Sequence, residues 1–166
     1  MDNDANTDGT NGAASGAKAA GQSPGGTSAA AADILAAMQE AVIYADLQGT
    51  ILLWNHGAEL VFGFTPAEAI GQSVDLIVPE KMRKAHWDGY NKAIEHGDIL
   101  SARGARMTRA LQKNGEPLYV EMSFAMVHDE SGKLTGSIAV ARDATARFMA
   151  ERAARQGATA APKPAD

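Results

Sequence analysis

The sequence predicts an α+β fold, in which a five-stranded antiparallel sheet carries helices on one face and is flanked by N- and C-terminal helices. The first observation is the order of the patterns: two strand-like runs come first, helical runs follow, and three strand-like runs come last. The second is the turn chemistry, because Asn114-Gly115 and residues 129–132 separate the last three runs. Such short turns join neighbouring antiparallel strands.

A hairpin opens the predicted domain. Asp33 is the predicted N-cap of a short helix, because its side chain can accept hydrogen bonds from the first helical turn. Residues 41–46 and 50–54 are predicted strands, joined by a turn at 47–49. The apolar run in 50–54 is too continuous for a half-exposed edge, so we expect the two strands to form a hairpin with a buried face.

Two short helices are predicted after the hairpin. Asn55 is the predicted N-cap of a helix over residues 56–62, which ends at Gly63. Thr65 and Glu68 then have the spacing of a capping box, with a proline between them at the first helical position. These side chains are expected to begin the second short helix.

The longest predicted helix carries a histidine on its apolar face. It begins at Glu80, directly after a proline, and ends at Glu95 or His96, before Gly97. One face of this helix carries the residues spaced i, i+4, i+7, i+8 and i+11, namely Met82, His86, Gly89, Tyr90 and Ala93. The imidazole is therefore expected to point inward.

Three strands and an exit helix complete the predicted domain. The strands are predicted over residues 105–112, 117–127 and 134–142. Helical periodicity returns from Ala144 onward. The helices are expected to cover one face of the sheet, and the space between them and the sheet is the natural place for a pocket.

The two ends of the chain differ in composition from its centre. Residues 1–31 are mostly small or polar and offer almost nothing large to bury, so we expect a disordered tail there. Residues 32–147 form the predicted domain. Residues 148–166 are expected to hold the exit helix and a disordered C-terminal tail.

Composition excludes several kinds of chemistry. The net charge is −5 and no basic stripe is present, which argues against a nucleic-acid surface. The absence of cysteine excludes disulfides, thiolate ligands, cysteine nucleophiles and flavin–cysteine photochemistry. No apolar run reaches the ~18 residues of a membrane span, so we expect a cytoplasmic protein that does not enter a membrane. No nucleophile with a base, carboxylate pair or phosphate loop is visible, and we expect no enzyme activity.

Several separated motifs, in the right order, resemble the PAS sensor family. They lie at residues 46–49, 54–55, 58–63, 68–71, 78–80, 112–115 and 140–145. Together they span roughly residues 33–147, which is nearly all of the foldable chain. The resemblance implies the PAS fold and a role in sensing and signal transduction.

Within that family, residues 79–90 resemble the helix of the oxygen-sensing heme PAS domains. The resemblance implies that His86 is the proximal ligand of a b-type heme and that the module senses a diatomic gas or redox state. A neutral imidazole is a good axial ligand for heme iron. The alternative is a structural role, in which His86 is a core histidine hydrogen-bonded to a main-chain carbonyl.

The resemblance also implies a distal side chain on the strand that follows the histidine helix, either an arginine or a methionine. Counting back from Gly115 favours Arg106, whereas a Met-x-Arg match favours Met107 and Arg109. Alternate side chains of a strand point to opposite faces, so only one of these sets can point inward. The sequence leaves the choice open.

Other candidates complete the implied heme site. Met122 and Phe124 share a strand face and could wall the distal pocket. Lys92 or Arg103 could pair with the heme propionates. Tyr90 follows His86 on the helix and suits packing in a core as well as stacking on a cofactor.

The expected function is that of a standalone PAS sensory module, since no effector segment follows the predicted domain. Such a module is expected to act as a homodimer, through a flanking helix or the sheet face, or by docking on a partner signalling protein. The alternative is a cofactor-free PAS module for dimerisation or protein interaction. Flavin binding is a further option.

Overall fold

The structure, a computed structural model, describes residues 24–97 and 104–159. In chain order its elements are α1 (Pro24–Ala37), β1 (Ala41–Asp46), β2 (Ile51–Trp54), α2 (His56–Phe62), α3 (Pro66–Ala69), a 3-10 helix (Val74–Leu76), α4 (Glu80–His96), β3 (Arg106–Leu111), β4 (Pro117–His128), β5 (Leu134–Asp143) and α5 (Thr145–Thr159). The strands form one five-stranded antiparallel sheet in the order β2-β1-β5-β4-β3. The predicted α+β fold class is confirmed.

The inner face of the sheet carries the hydrophobic core. Ile51, Phe62 and Leu118 are among its largest fully buried side chains. The indole N–H of Trp54 donates a hydrogen bond of 2.8 Å to the main-chain oxygen of Phe64, so the polar edge of this ring is satisfied. The core therefore joins the β1–β2 hairpin and α2 to the opposite edge of the sheet.

The outer face of the sheet is marked by side chains that contact α5. The rings of Tyr119 and Phe148 stack with centroids 3.8 Å apart. The carboxylate of Glu121 accepts a hydrogen bond of 2.7 Å from Arg142 Nε and lies 3.3 Å from the guanidinium of Arg147. Because side chains alternate along a strand, the residues of β4 next to Tyr119 and Glu121 point to the inner face.

The predicted buried face of the hairpin is present, with Ile51 and Trp54 buried, but the expectation that β2 is not a half-exposed edge is wrong. β2 lies at an edge of the sheet, and the side chain of Leu52 is 50% exposed. The pairing register shifts between Tyr44 and Ala45, which pair with Leu53 and Ile51, so Leu52 has no partner on β1. A bulge of this kind turns an apolar side chain outward. The apolar run of β2 therefore consists of one buried face and the bulged residue Leu52.

The predicted start of the first helix is also wrong. α1 begins at Pro24, so Asp33 lies within the helix and is not its N-cap. The residues before Asp33 include a run of alanines, the best helix formers, which extend the helix into the segment predicted as tail. The rest of the predicted tails, residues 1–23 and 160–166, lies outside the described residues.

The longest helix agrees with its predicted bounds. α4 runs from Glu80 to His96 and ends at Gly97, which has φ +69°. Glycine adopts this left-handed conformation without the steric cost that other residues meet. Of the 17 residues of α4, Ala93 alone is buried, so most of the helix stands away from the packed core.

Asn55 connects the first helix, the first strand and the second helix. Its buried side-chain oxygen accepts hydrogen bonds from the N–H groups of Val42, at 2.8 Å, and Ala58, at 2.9 Å. Its amide nitrogen donates to the carbonyl oxygens of Leu35 and Glu40, both at 3.0 Å. The predicted N-cap is confirmed, and the same side chain also ties α1 to the sheet.

Replacing Asn55 tests how much its side chain contributes to the stability of the fold. Asn55→Ala should lower the free energy of unfolding by about 3 kcal/mol, because each buried N–H left without an acceptor costs about 1–3 kcal/mol. Urea denaturation measures the change, with Asn91→Ala on the exposed side of α4 as the control. A loss below about 1 kcal/mol would contradict the central role of Asn55.

Candidate functional site

A cavity of about 480 Å³ lies between α4 and the inner face of the sheet. This volume is in the usual range of small-molecule sites, about 300–1,000 Å³. The α4 residues that line it are Met82, Ala85, His86, Gly89, Tyr90 and Ala93. They include the whole predicted inward face of the helix. The apolar side of α4 therefore covers a space that no side chain fills.

The imidazole of His86 lines this cavity without a hydrogen bond to any described residue. Its Nδ1 atom is buried and unpartnered, whereas Nε2 is not fully buried. Burial lowers the pKa of His86, and the carboxylate of Asp75 opposes this shift. The ring is therefore held neutral, with Nε2 as its open nitrogen. The predicted hydrogen bond of a core histidine is not found among the described residues.

Two aromatic rings pack against this imidazole. The Trp87 ring meets it edge to face, with centroids 5.5 Å apart and planes at 81°. The Tyr90 ring stacks on it, with centroids 6.0 Å apart and planes at 24°. These contacts define the orientation of His86 in place of a hydrogen bond.

The hydroxyl of Tyr90 joins α4 to two strands. It donates a short hydrogen bond to the main-chain oxygen of Asp46 on β1 and accepts one of 3.2 Å from Ser137 Oγ on β5. Burial raises the pKa of Tyr90, which keeps the hydroxyl protonated as a donor. Tyr90 lines the cavity as predicted, and it also anchors the helix over the sheet.

The register of β3 decides which of its side chains face the cavity. Arg106 pairs with Met122, and Met122 belongs to the buried core. Met107 pairs with Glu121 and Arg109 pairs with Tyr119, both on the outer face. Directly opposed residues of an antiparallel pair share a face. Arg106 therefore points to the cavity side, and the side chains of Met107 and Arg109 point away.

The main chain of β3 nevertheless reaches the cavity. The N–H of Leu111 donates to the oxygen of Ile77 at 2.9 Å, so it points away from β4 at the free edge of the sheet. Because main-chain groups alternate in direction, the N–H and C=O groups of Met107 and Arg109 point off the same edge. Their place in the cavity wall is therefore explained by main-chain atoms.

The remaining predicted residues divide into those at the cavity and those elsewhere. Met122 and Phe124 on β4 both line it, as their shared face predicts. Lys92 is exposed and is not among the lining residues. Arg103 lies outside the described residues.

Two residues that contribute to the site were not predicted from the sequence. Ser137 touches Tyr90 across the cavity, and Asp75 lies close enough to His86 to affect its pKa. The signal for Ser137 was its polar side chain directly before the apolar run of residues 138–141. Asp75 had no such signal, because its approach to α4 depends on the turn at residues 77–79.

Neither a candidate metal cluster nor a membrane-spanning helix is present among the described residues. No group of three or more His, Asp or Glu side chains could hold a metal ion there. No helix among those residues is long and apolar enough to cross a membrane.

A five-stranded antiparallel sheet with helices over one face and a cavity beneath the longest helix is the architecture that the resemblance to PAS domains implied. The family described as PAS fold matches residues 32–144, more than half of the chain. The chain therefore belongs to the PAS family, and the domain is a sensory and signal-transduction module.

Two curated proteins show which PAS proteins it resembles. The oxygen sensor protein DosP of Escherichia coli is 29% identical over 109 residues, covering 64% of this chain and 13% of DosP. The sensor protein FixL of Bradyrhizobium diazoefficiens is 42% identical over 57 residues, covering 34% of this chain and 11% of FixL. The chain thus spans a small part of the length of these relatives.

Solved structures agree with the fold. The PAS domain of a protein from Colwellia psychrerythraea has a TM-score of 0.61 and 24% identity, covering 70% of this chain and 96% of that one. An RNA-binding light-oxygen-voltage receptor has a TM-score of 0.65 and 17% identity, covering 92% of this chain and 41% of the receptor. At these identities the likeness concerns the fold alone.

The protonation of His86 is directly measurable. Because its folded-state pKa is lowered, His86 binds fewer protons in the folded chain than in the unfolded chain between the two pKa values. Its contribution to stability is fully present above about pH 6.5 and is lost as the pH falls through the lowered pKa. We expect an NMR titration of the ring to give a midpoint below the ordinary histidine value. A midpoint at or above that value would contradict the burial of the ring.

Proposed function

We propose that this PAS module binds b-type heme through His86 and senses a diatomic gas or redox state. The observation that carries the proposal is the His86 imidazole, which is neutral, faces an apolar cavity and has no hydrogen-bond partner among the described residues. The likeness to a protein named as an oxygen sensor supports the same reading. We also propose a cytoplasmic location and no enzyme activity, in keeping with the composition.

The residues present fit such a group. The His86 imidazole lies at the wall of an apolar cavity, and a neutral imidazole of this kind is a donor that heme iron can bind. Met122 and Phe124 supply an apolar surface on the sheet side, where a flat ring system can pack. The one arginine side chain that β3 directs toward the cavity is Arg106.

Each residue then has a separate role in the proposed site. When bound, heme supplies an iron centre that can take up a diatomic gas or change its oxidation state. His86 would hold this group at Nε2, and Met122 and Phe124, which also line the cavity, would help to exclude water from it. Arg106 would supply hydrogen-bond donors on the cavity side of β3, since a guanidinium is always protonated.

A route from the cavity to the exit helix follows from the contacts. Tyr90 on the histidine helix shares a hydrogen bond with Ser137 on β5. At the far end of β5, the N–H of Ala144 donates to the oxygen of Tyr119 at 2.8 Å, directly before α5. A ligand that favours one position of α4 could therefore bias α5, provided that it binds the two arrangements with different affinity.

Heme binding has a direct spectroscopic test. Purified protein supplied with hemin should give a Soret band at one heme per chain, and His86→Ala should abolish it while the circular dichroism spectrum is retained. His96→Ala is the matched control, because His96 lies on the same helix outside the cavity lining and should leave the band intact. Absence of a stoichiometric Soret band in the wild type would refute the proposal.

A second candidate function is a cofactor-free module for dimerisation or partner binding. Ile34 on α1 is 62% exposed, although it is a large apolar side chain. Tyr44, Ile138 and Val140 are only partly buried and share the outer face of the sheet. A flanking helix and an apolar sheet face of this kind suit a homodimer or a partner signalling protein. Flavin is the alternative cofactor, and a yellow sample that releases flavin on denaturation would support it.

Sedimentation velocity tests the dimer. The wild type should sediment as a dimer, and Ile34→Glu should shift it toward monomer because a charge would be buried in the interface. Leu60→Glu, at another exposed apolar position, is the control that should leave the dimer intact. A wild-type monomer at all accessible concentrations would contradict this part of the proposal. A tight dimer that is indifferent to hemin and shows no Soret band would favour the cofactor-free function.

A further inference from the structure

The His86 ring lacks the support that metal-binding histidines usually have. Such a ring is normally oriented by a hydrogen bond from its second nitrogen to a carboxylate, a carbonyl or water. Here Nδ1 is buried and has no partner among the described residues. The orientation of the imidazole must therefore come from the groups that pack around it.

Trp87 is the packing group nearest to the imidazole. Its ring centroid lies 5.5 Å from that of His86 and 5.5 Å from that of Tyr90, edge to face in both cases. Tyr90 is itself fixed by its hydrogen bond to Asp46. A rotation of the Trp87 indole would therefore open space beside His86 and leave its ring free to turn.

Both ends of the Trp87 side chain are held. The indole N–H donates a hydrogen bond of 3.0 Å to Oδ1 of Asp75. The far end of the indole lies against Gly49, where an added Cβ would come within 2.3 Å of Cη2. Gly49 also has φ +78°, so no other residue fits this contact easily. The indole is thus fixed between a carboxylate and the turn after β1.

Asp75 is in turn fixed relative to α4. Its N–H donates to Ser73 Oγ at 3.2 Å, within the 3-10 turn. Arg83 Nη2 donates to the main-chain oxygen of Asp75 at 3.1 Å, and Arg83 Nε lies 3.9 Å from Oδ1. Arg83 therefore fixes the Asp75 carboxylate, which accepts the indole hydrogen bond, relative to α4.

From these contacts we infer that Asp75 is a positioning residue, which orients the His86 imidazole for ligand binding through the Trp87 indole. Asp75 is not among the residues that line the cavity, so its proposed role is to position the ring. The inference deepens the proposed function and rests on it, because it assigns to this chain the support that the orphaned Nδ1 lacks.

Hemin titrations test the effect on binding. Asp75→Ala should weaken hemin binding by about tenfold, the lower end of the effect of removing an outer-shell partner. Asp75→Asn keeps an oxygen acceptor for the indole and should restore most of that loss. Asp88→Ala is the matched control, because it removes an exposed carboxylate beside Trp87 that pairs with Lys84. An equal loss in Asp75→Asn and Asp75→Ala would overturn the inference.

A double-mutant cycle tests the route through Trp87. Trp87→Phe removes the indole N–H but keeps an aromatic ring, so it should weaken hemin binding as Asp75→Ala does. If Asp75 acts through Trp87, the double variant should be no weaker than either single variant. Additive losses would show that the two residues act separately and would overturn the inference.

NMR of the hemin-free protein separates this inference from the proposed function. In protein labelled with 15N-histidine, Asp75→Ala should broaden or double the ring signals of His86, and Asp88→Ala should not. This result would support the positioning role even if hemin failed to bind, which would refute the heme proposal alone. Unchanged His86 ring signals in Asp75→Ala would overturn the positioning role, whether or not hemin binds.

Discussion

The site depends on a long helix that is held in place by a few side chains and not by a packed interface. Only Ala93 of α4 is buried, and the helix is fixed by Arg83, Trp87 and Tyr90, which bind Asp75, Val78, Asp46 and Ser137. Because these anchors are polar or aromatic, the helix can stand off the sheet without losing its position. The cavity beneath it follows from this arrangement.

The same anchoring explains how the His86 imidazole can be partly buried and still free to bind a ligand. A buried polar atom normally has a hydrogen-bond partner, so an orphaned nitrogen calls for an explanation. Trp87 and Tyr90 pack against the His86 ring, whose Nδ1 is buried without a partner among the described residues while Nε2 is not fully buried. Burial also keeps the ring neutral, which is the form that binds a metal. The packing around His86 and its burial therefore both favour a neutral imidazole that can bind a metal.

Local patterns predicted most of the fold. The glycine turns at Asn114-Gly115 and 129–132 placed β3, β4 and β5 to within one residue at each end, because turn residues and strand period act over short distances. The two errors have different causes, one in a contact between separate strands and one in local helix propensity. The exposure of Leu52 depends on a register shift against β1, and the start of α1 at Pro24 depends on alanine propensity outweighing a candidate cap at Asp33.

The candidate site was predictable in part for the same reason. The helical period of residues 82–93 placed His86 and Tyr90 on the face that lines the cavity. The choice between Arg106 and the Met107–Arg109 pair needed the register of β3 against β4, which no local pattern contains. The role of Asp75 could not be predicted from local patterns, since its contact with Trp87 joins two elements through a turn.

We propose that Nε2 of His86 is the donor atom that binds the iron of heme in this cavity. Pulsed electron paramagnetic resonance of ferric, hemin-loaded protein labelled with 15N-histidine measures directly whether a histidine nitrogen is bonded to the iron. We expect one strongly coupled 15N nucleus in the wild type and in His96→Ala, and none in His86→Ala. A wild-type spectrum without a strongly coupled histidine nitrogen would contradict it.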